Sequence, residues 1–205
     1  MLEIGVLVSG RGSNLEAILG SIEKGVVKNA RVAIVISNDP KAKALAVARR
    51  HGAKAVALEA GGDSREAYGV RLAEVLAKHG VEPGKGLVLL AGFMKILPES
   101  FVNLYTGRMM NIHPSLLPAF PGIRAQQQAL SHGVKVAGCT VHFVVPEVDA
   151  GPIILQKAVP VYEGDTEESL SSRILRQEHR LYPLAVKLFA EGRLHTEGRI
   201  VRRER

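Results

Sequence analysis

Two short runs in this chain have no polar face. Glu3 to Ser9 (EIGVLVS) and Leu87 to Ala91 (LVLLA) are almost wholly apolar, and each ends at a glycine. A strand tolerates that pattern when both its sides are covered, as in a parallel sheet flanked by helices. The sequence between them supplies the helices. Gly10-Arg11-Gly12-Ser13-Asn14 opens into a helix through Leu15 and Ile18, and Lys41 to His51 is an alanine-rich helix. Val32 to Ser37 and Ala53 to Leu58 read as further strands, and Asp63-Ser64-Arg65-Glu66 has the capping-box spacing for a helix to about His79. Strand and helix in alternation predict an α/β protein with a Rossmann-like, doubly wound sheet.

The second half reads differently. A helical turn through Phe101 to Tyr105 leads to Met109-Met110-Asn111-Ile112-His113, a buried strand stopped by Pro114. Arg124 to His132 is a helix. Val136 to Val145 (VAGCTVHFVV) alternates like an antiparallel strand, and Ile153 to Val161 is another. Asp165-Thr166-Glu167-Glu168 is a second capping-box spacing, opening a helix that includes Gln177-Glu178-His179 and reaches Leu188, with Pro183 kinking or restarting it. The sheet is therefore expected to be mostly parallel with an antiparallel C-terminal part. Without linker or repeat, residues 1–205 read as one domain, with a nucleotide- or phosphate-binding half at about 1–107 and a catalytic half at about 108–205.

Composition narrows the class. The 205 residues are 46% hydrophobic and 23% charged, ordinary for a globular protein. Cys139 is the only cysteine, so no internal disulfide forms, and a reducing cytoplasm is expected. No apolar run reaches the roughly 18–20 residues that a membrane helix needs, and Met1-Leu2-Glu3-Ile4 lacks signal-peptide character. The net charge of +7 suits RNA or a phosphate-bearing small molecule equally. Part of it lies in Arg193, Arg199, Arg202, Arg203 and Arg205, read as a solvated tail.

Three places carry chemistry. The glycine-rich turn at Gly10 to Asn14 lets a backbone approach an anion at a helix start. It is no dinucleotide fingerprint, since Leu15 stands where G-x-G-x-x-G needs glycine, and Ser37-Asn38-Asp39 makes a poor ribose-binding acid. A monophosphate site and a plain Ser/Asn cap both remain open. Asn111 and His113 alternate on one strand, so an amide and an imidazole leave its carboxyl end side by side, where ligands bind in open α/β sheets. Asp149 lies in a proline-bounded loop (Pro146 to Pro152). Set against His113 it would favour the imidazolium and pass protons through a water, while Asn111 would donate to an oxygen gaining charge. That trio suits acyl transfer to an amine without a covalent enzyme intermediate, and no G-x-S-x-G elbow is present. A metal site from His113, His142 and Asp149 is the competing arrangement, though no H-E-x-x-H or cysteine pair supports it, and none is predicted.

The segments SGRGSNLEAI, DSREAY, LLAGFMKIL, MMNIHPSLLPAFPG, GCTVHFVVPEVDAGPII and QEHRLYP, in this order, resemble the folate-dependent phosphoribosylglycinamide formyltransferases of purine synthesis. The resemblance implies that the amine of phosphoribosylglycinamide attacks the formyl carbon of 10-formyltetrahydrofolate, the co-substrate. It implies that Asn111 stabilises the oxyanion, that His113 is the acid or electrostatic partner, and that Asp149 tunes it. Gly12, Ser13 and Asn14 would cradle the ribonucleotide phosphate, and Glu178 its glycinamide or ribose end. Arg65, Met94, Lys95, Ile96, Leu97, Val145, Pro146, Glu147, Val148 and Asp149 would line the folate site. Small molecules, not nucleic acid or membrane, are the implied partners, with the chain a monomer or homodimer. Two departures stand out: Lys95 where many relatives carry Arg, and Arg124-Ala125-Gln126 where many have His-Thr-His. Formyltetrahydrofolate hydrolase is expected to carry an additional N-terminal domain, and methionyl-tRNA formyltransferase an additional C-terminal one. A non-catalytic nucleotide-binding module would need the glycine turn alone.

Overall fold

The structure, a computed structural model, describes residues 1–204. Its strands are β1 Leu2–Val8, β2 Ala30–Ser37, β3 Ala55–Ala57, β4 Leu87–Leu90, β5 Met109–His113, β6 Val136–Phe143, β7 Ile153–Pro160, β8 Leu194–Glu197 and β9 Ile200–Arg203. Its helices are α1 Ser13–Glu23, α2 Lys43–Arg50, α3 Arg65–Lys78, α4 Glu99–Leu104, α5 Ala125–Ser131 and α6 Glu167–Ala190. All strands join one sheet in the order β3-β2-β1-β4-β5-β6-β7-β9-β8. The first five are mutually parallel. β6 is antiparallel to both neighbours, β9 joins β7 in parallel, and β8 folds back on β9. The expected doubly wound sheet with an antiparallel C-terminal part is the one observed.

The two apolar runs behave as their composition requires. Ile4, Val6 and Val8 pack on one face of β1 with Leu15 and Ile18 of α1 and Leu170 and Ile174 of α6. Leu7, Ile34 and Ile36 face the other side, against Leu72 and Leu76 of α3 and Phe101 of α4. Each such side chain contributes about 1.5–3 kcal/mol by leaving water. The strand order reverses between β1 and β4, so helices leave to opposite faces there and a crevice opens beyond the carboxyl ends of those two strands.

Several local expectations are corrected. The cap of α3 is Ser64, whose hydroxyl accepts from the Ala67 N–H, while Asp63 pairs with Arg71 instead. The capping box of α6 is Thr166 with Ser169, one residue later than the Asp165–Glu168 spacing. Pro183 neither ends nor restarts α6. Leu181, Tyr182, Ala185 and Val186 around it are buried against the sheet, and that packing carries the helix through the missing donor. The arginine-rich terminus is a hairpin, not a tail: Arg193 donates to the Glu204 carbonyl, and β9 joins the sheet beside β7. Arg205 lies outside the described residues. No helix among them is long and apolar enough to cross a membrane.

Candidate active site

The crevice beyond β1 and β4 holds a cavity of about 870 Å³. Ser9 to Asn14 form one wall and Ser171, Leu175 and Glu178 of α6 another, with Met94, Ile112 and Pro114 between them. Gly12 is the cap residue of α1 at φ 83°, a left-handed backbone that glycine adopts without strain. A Cβ there would lie 2.7 Å from the Ala44 Cα, so the turn also needs glycine for close approach to α2. No side chain caps α1, which removes the plain Ser/Asn cap as the reason for this sequence. The first-turn N–H groups thus stay available to an anion.

Glu178 is buried beneath this turn. Its Oε2 accepts from Asn14 Nδ2 at 2.8 Å, which ties the start of α1 to α6. Burial pushes its carboxyl above the ordinary glutamate range, and the Asn14 bond offsets only part of that. Tyr182, one turn further along α6, sets the helix against the sheet: its hydroxyl lies 3.1 and 2.9 Å from the carbonyl oxygens of Leu90 and Met110.

Ile112 and Pro114 in the cavity wall bracket His113, whose side chain turns into a polar cluster. Asn111 pairs with His142 and His113 with Thr140 across β5 and β6, so all four side chains share one face. Asp149 reaches this face from its loop. Its Oδ2 lies 3.2 Å from His113 Nδ1 and accepts from the Gly122 N–H at 2.8 Å. Its Oδ1 lies 3.6 Å from His142 Nε2 and 3.5 Å from Asn111 Nδ2. The far nitrogen of His113 faces the Phe120 carbonyl at 2.8 Å. Both ring nitrogens therefore meet oxygen acceptors, an arrangement the imidazolium satisfies. Burial alone would raise the Asp149 carboxyl. The neighbouring His142 imidazole, the Gly122 N–H bond and the His113 ring outweigh it, so the group sits below the usual carboxylate range.

The cluster's supports explain its position. Thr140 donates to the Ser115 carbonyl and accepts from the Leu117 N–H, and Gln156 donates to the Leu117 carbonyl. These bonds fix the proline turn, with its cis Leu117–Pro118 bond, that delivers the Phe120 carbonyl to His113. Asp149 itself has φ 53°, a region that aspartate enters more readily than most residues. Gly151 lets the loop close, because a Cβ there would lie 1.8 Å from the Phe143 carbonyl oxygen.

The bonds of Asn111 differ in quality from the rest. Its Nδ2 lies 3.3 Å from His142 Nε2 and 3.5 Å from Asp149, both long, whereas the Gly122 and Phe120 bonds are of ordinary length. The amide is the donor most easily turned toward another oxygen.

Sequence reading brings Asn111, His113 and Asp149 to one point, and Gly12, Ser13, Asn14 and Glu178 to one cavity. It passes over two members. His142 figures there only as a metal ligand, although alternation from Thr140 already put it on the cluster's face. Ser9, at the end of β1, carries no signal beyond its place before the glycine turn. The folate residues are less gathered. Met94 lines the cavity, Met94, Ile96 and Val148 are exposed apolar side chains, and Arg65, the first residue of α3, is exposed and is not part of the cavity lining. Among the described residues no group of three or more His, Cys, Asp or Glu is arranged to hold a metal ion.

Comparison with known proteins agrees with this architecture. Over 194 residues the chain is 45% identical to the phosphoribosylglycinamide formyltransferase of Escherichia coli (strain K12), covering 94% of this chain and 89% of that one. It is 45% identical over 200 residues to the trifunctional purine biosynthetic protein adenosine-3 of Bos taurus, covering 96% of this chain but 19% of the bovine protein. The crystal structure of glycinamide ribonucleotide transformylase 1 from Symbiobacterium toebii superposes with a TM-score of 0.95 at 55% identity, covering 100% of this chain and 95% of that one. Residues 2–186 match the sequence profile of formyl transferase, and the chain belongs to that family.

Proposed function

We propose that this enzyme transfers the formyl group of 10-formyltetrahydrofolate to the amine of phosphoribosylglycinamide, giving formylglycinamide ribonucleotide and tetrahydrofolate. The observation that carries the reading is the junction of two sites: an anion-ready glycine turn and a buried carboxylate share one cavity, and its wall runs into the Asn111–His113–Asp149 cluster. The ribonucleotide phosphate sits on the N–H groups of Gly12, Ser13 and Asn14, and Glu178 receives the glycinamide or ribose end. The amine then attacks the formyl carbon. Asn111 and His113 hold the negative charge that grows on the formyl oxygen, and Asp149 keeps the His113 ring oriented. As the tetrahedral species collapses, the bond to N10 of the folate breaks and the proton lost by the amine passes to N10, with Asp149 relaying it through a water. The folate lies over Met94 to Leu97 and Val145 to Asp149, with Arg65 near its acidic tail. Both substrates are small cytoplasmic metabolites, and the cytoplasm is where we place the reaction.

The test is turnover of 10-formyltetrahydrofolate with and without phosphoribosylglycinamide. Release of tetrahydrofolate that requires the ribonucleotide supports the proposal. Formate release at full rate without it would make the enzyme a hydrolase and sink the reading.

A further inference from the structure

Residues 92 to 97 form a loop after β4 that carries the apolar wall assigned above to the folate. Among the described residues its backbone makes two hydrogen bonds outside itself, and both go to Ser9. The Ser9 N–H donates to the Gly92 carbonyl at 3.1 Å, and the Ser9 hydroxyl accepts from the Met94 N–H at 2.8 Å. Beyond these, Phe93 and Leu97 pack against the core between the sheet and α3 and α4, while Met94 and Ile96 are exposed. The loop thus has one polar anchor.

That anchor is itself aimed. The Ser9 hydroxyl spends its only proton on Asn38 Oδ1, 2.5 Å away, which leaves its lone pairs to face Met94. Asn38 stands in a rigid turn: Ser37 Oγ donates to the Asp39 carbonyl and accepts from its N–H, and Asp39 Oδ1 accepts from the Lys41 N–H. The ends of β1 and β2 and the loop after β4 are therefore linked in series, and Ser9 also lines the cavity beside Gly10 to Gly12. The Ser37-Asn38-Asp39 turn has no place in the phosphate or catalytic machinery. This relay gives it one.

We infer that Ser9, oriented by Asn38, is a positioning residue for the formyl folate. It holds the Met94–Leu97 wall in the shape the folate needs, next to the turn that holds the ribonucleotide. Part of the folate affinity is then preorganisation, lost when the loop must be ordered at binding. This rests on the proposed assignment of that loop to the folate, and the ribonucleotide-dependent turnover of the wild-type enzyme tests the transfer reaction separately.

The experiment is steady-state kinetics on the full chain, varying each substrate at saturating levels of the other, with melting temperatures alongside. Ser9→Ala and Asn38→Ala are expected to raise the KM for 10-formyltetrahydrofolate about tenfold, equivalent to about 1.4 kcal/mol. The loss should fall on that constant and far less on kcat or the ribonucleotide KM. Ser9→Thr, which keeps a hydroxyl, and Asn38→Asp, which keeps an acceptor, should stay within about threefold of wild type. If Ser9→Ala does not fold, Asn38→Ala, which leaves the serine in place, decides by the same constants. A folate KM within twofold of wild type in the alanine variants overturns the inference. So does a loss shared equally between the two substrates, or a threonine variant as impaired as the alanine one.

Discussion

Asp149 Oδ2 and His113 Nδ1 stand 3.2 Å apart, although the two residues come from different elements and the carboxylate reaches the strand on a left-handed backbone. The same oxygen takes the Gly122 N–H, so one atom joins β5, the proline turn and the Asp149 loop. The carboxylate charge faces the His113 ring, and Asp149→Asn removes that charge while suiting the same backbone region. We expect kcat to fall by about 10²–10⁴-fold, the range typical of a lost proton-transfer partner. Single-turnover kinetics at saturating substrates checks this, and a variant within tenfold of wild type would remove Asp149 from the mechanism.

The same substitution has a signature in stability. The fold holds the Asp149 carboxyl below its ordinary range, so the folded protein favours the ionised form more than the unfolded chain does. That contribution is present above the unfolded value of about 3.9 and is lost as pH falls through the depressed folded value. Wild type should therefore melt above Asp149→Asn at pH 6–8, with the gap closing as the pH drops below about 4. Melting curves across that window decide it. A gap that widened in acid would contradict the sign.

Asn111 carries the opposite expectation, a large effect on rate and a small one on stability. Its bonds within the cluster are long, so little is lost from the folded protein when the amide is removed. An oxyanion donor is worth about 10²–10³-fold in kcat. Asn111→Ala should show that loss with a melting temperature within a few degrees of wild type. A variant as active as the parent would mean that the growing charge is held elsewhere.

How far the letters alone reach depends on the range of the interaction. β1, β4 and β5 were legible because an apolar run of strand length between turn residues has few alternatives. Asn111 and His113 were legible as a pair because strand alternation is local. Glu178 was legible only through the family resemblance, since on α6 it has the composition of a surface charge and is buried because α1 packs over it. The β8–β9 hairpin was hidden by its arginines, whose partners across it (Glu197, the Glu204 carbonyl) become neighbours only after the chain turns. The helix caps of α3 and α6 were placed to within a residue, because Asp, Ser and Thr compete for one role within two positions. Pro183 misled for a related reason: its cost is local, but the burial that outweighs it is not.

Gly12 tests the floor of the cavity. Gly12→Ala must adopt φ 83°, which costs roughly 1–2 kcal/mol for a residue with a Cβ, and it also drives that atom against the Ala44 backbone. In a chain of this size each kcal/mol lowers the melting temperature by about 2–4 °C. We expect a drop of several degrees together with a raised KM for the ribonucleotide, because the turn cannot both relax and keep its N–H groups aimed. Unchanged values of both would show that the turn is neither strained by a side chain nor used for the phosphate.

Glu178 is where stability and function should part. Burial raises its carboxyl above the ordinary range, so the folded state holds that proton more tightly than the unfolded chain. The group's stabilising contribution is thus complete below the unfolded value of about 4.3 and is lost as pH rises through the folded one. Above that window the folded protein bears the cost of a desolvated carboxyl whose one side-chain partner among the described residues is the Asn14 amide. Glu178→Gln preserves the shape and removes the charge. It should melt higher than wild type at pH 7–8, with the difference shrinking toward pH 4. Its KM for the ribonucleotide should rise at least about tenfold, the scale of one hydrogen bond to a charged group. Paired melting and kinetic titrations over that range test both halves. A variant that binds the ribonucleotide normally and melts no higher at neutral pH would mean that Glu178 is merely tolerated, and that the cavity recognises its substrate by other groups.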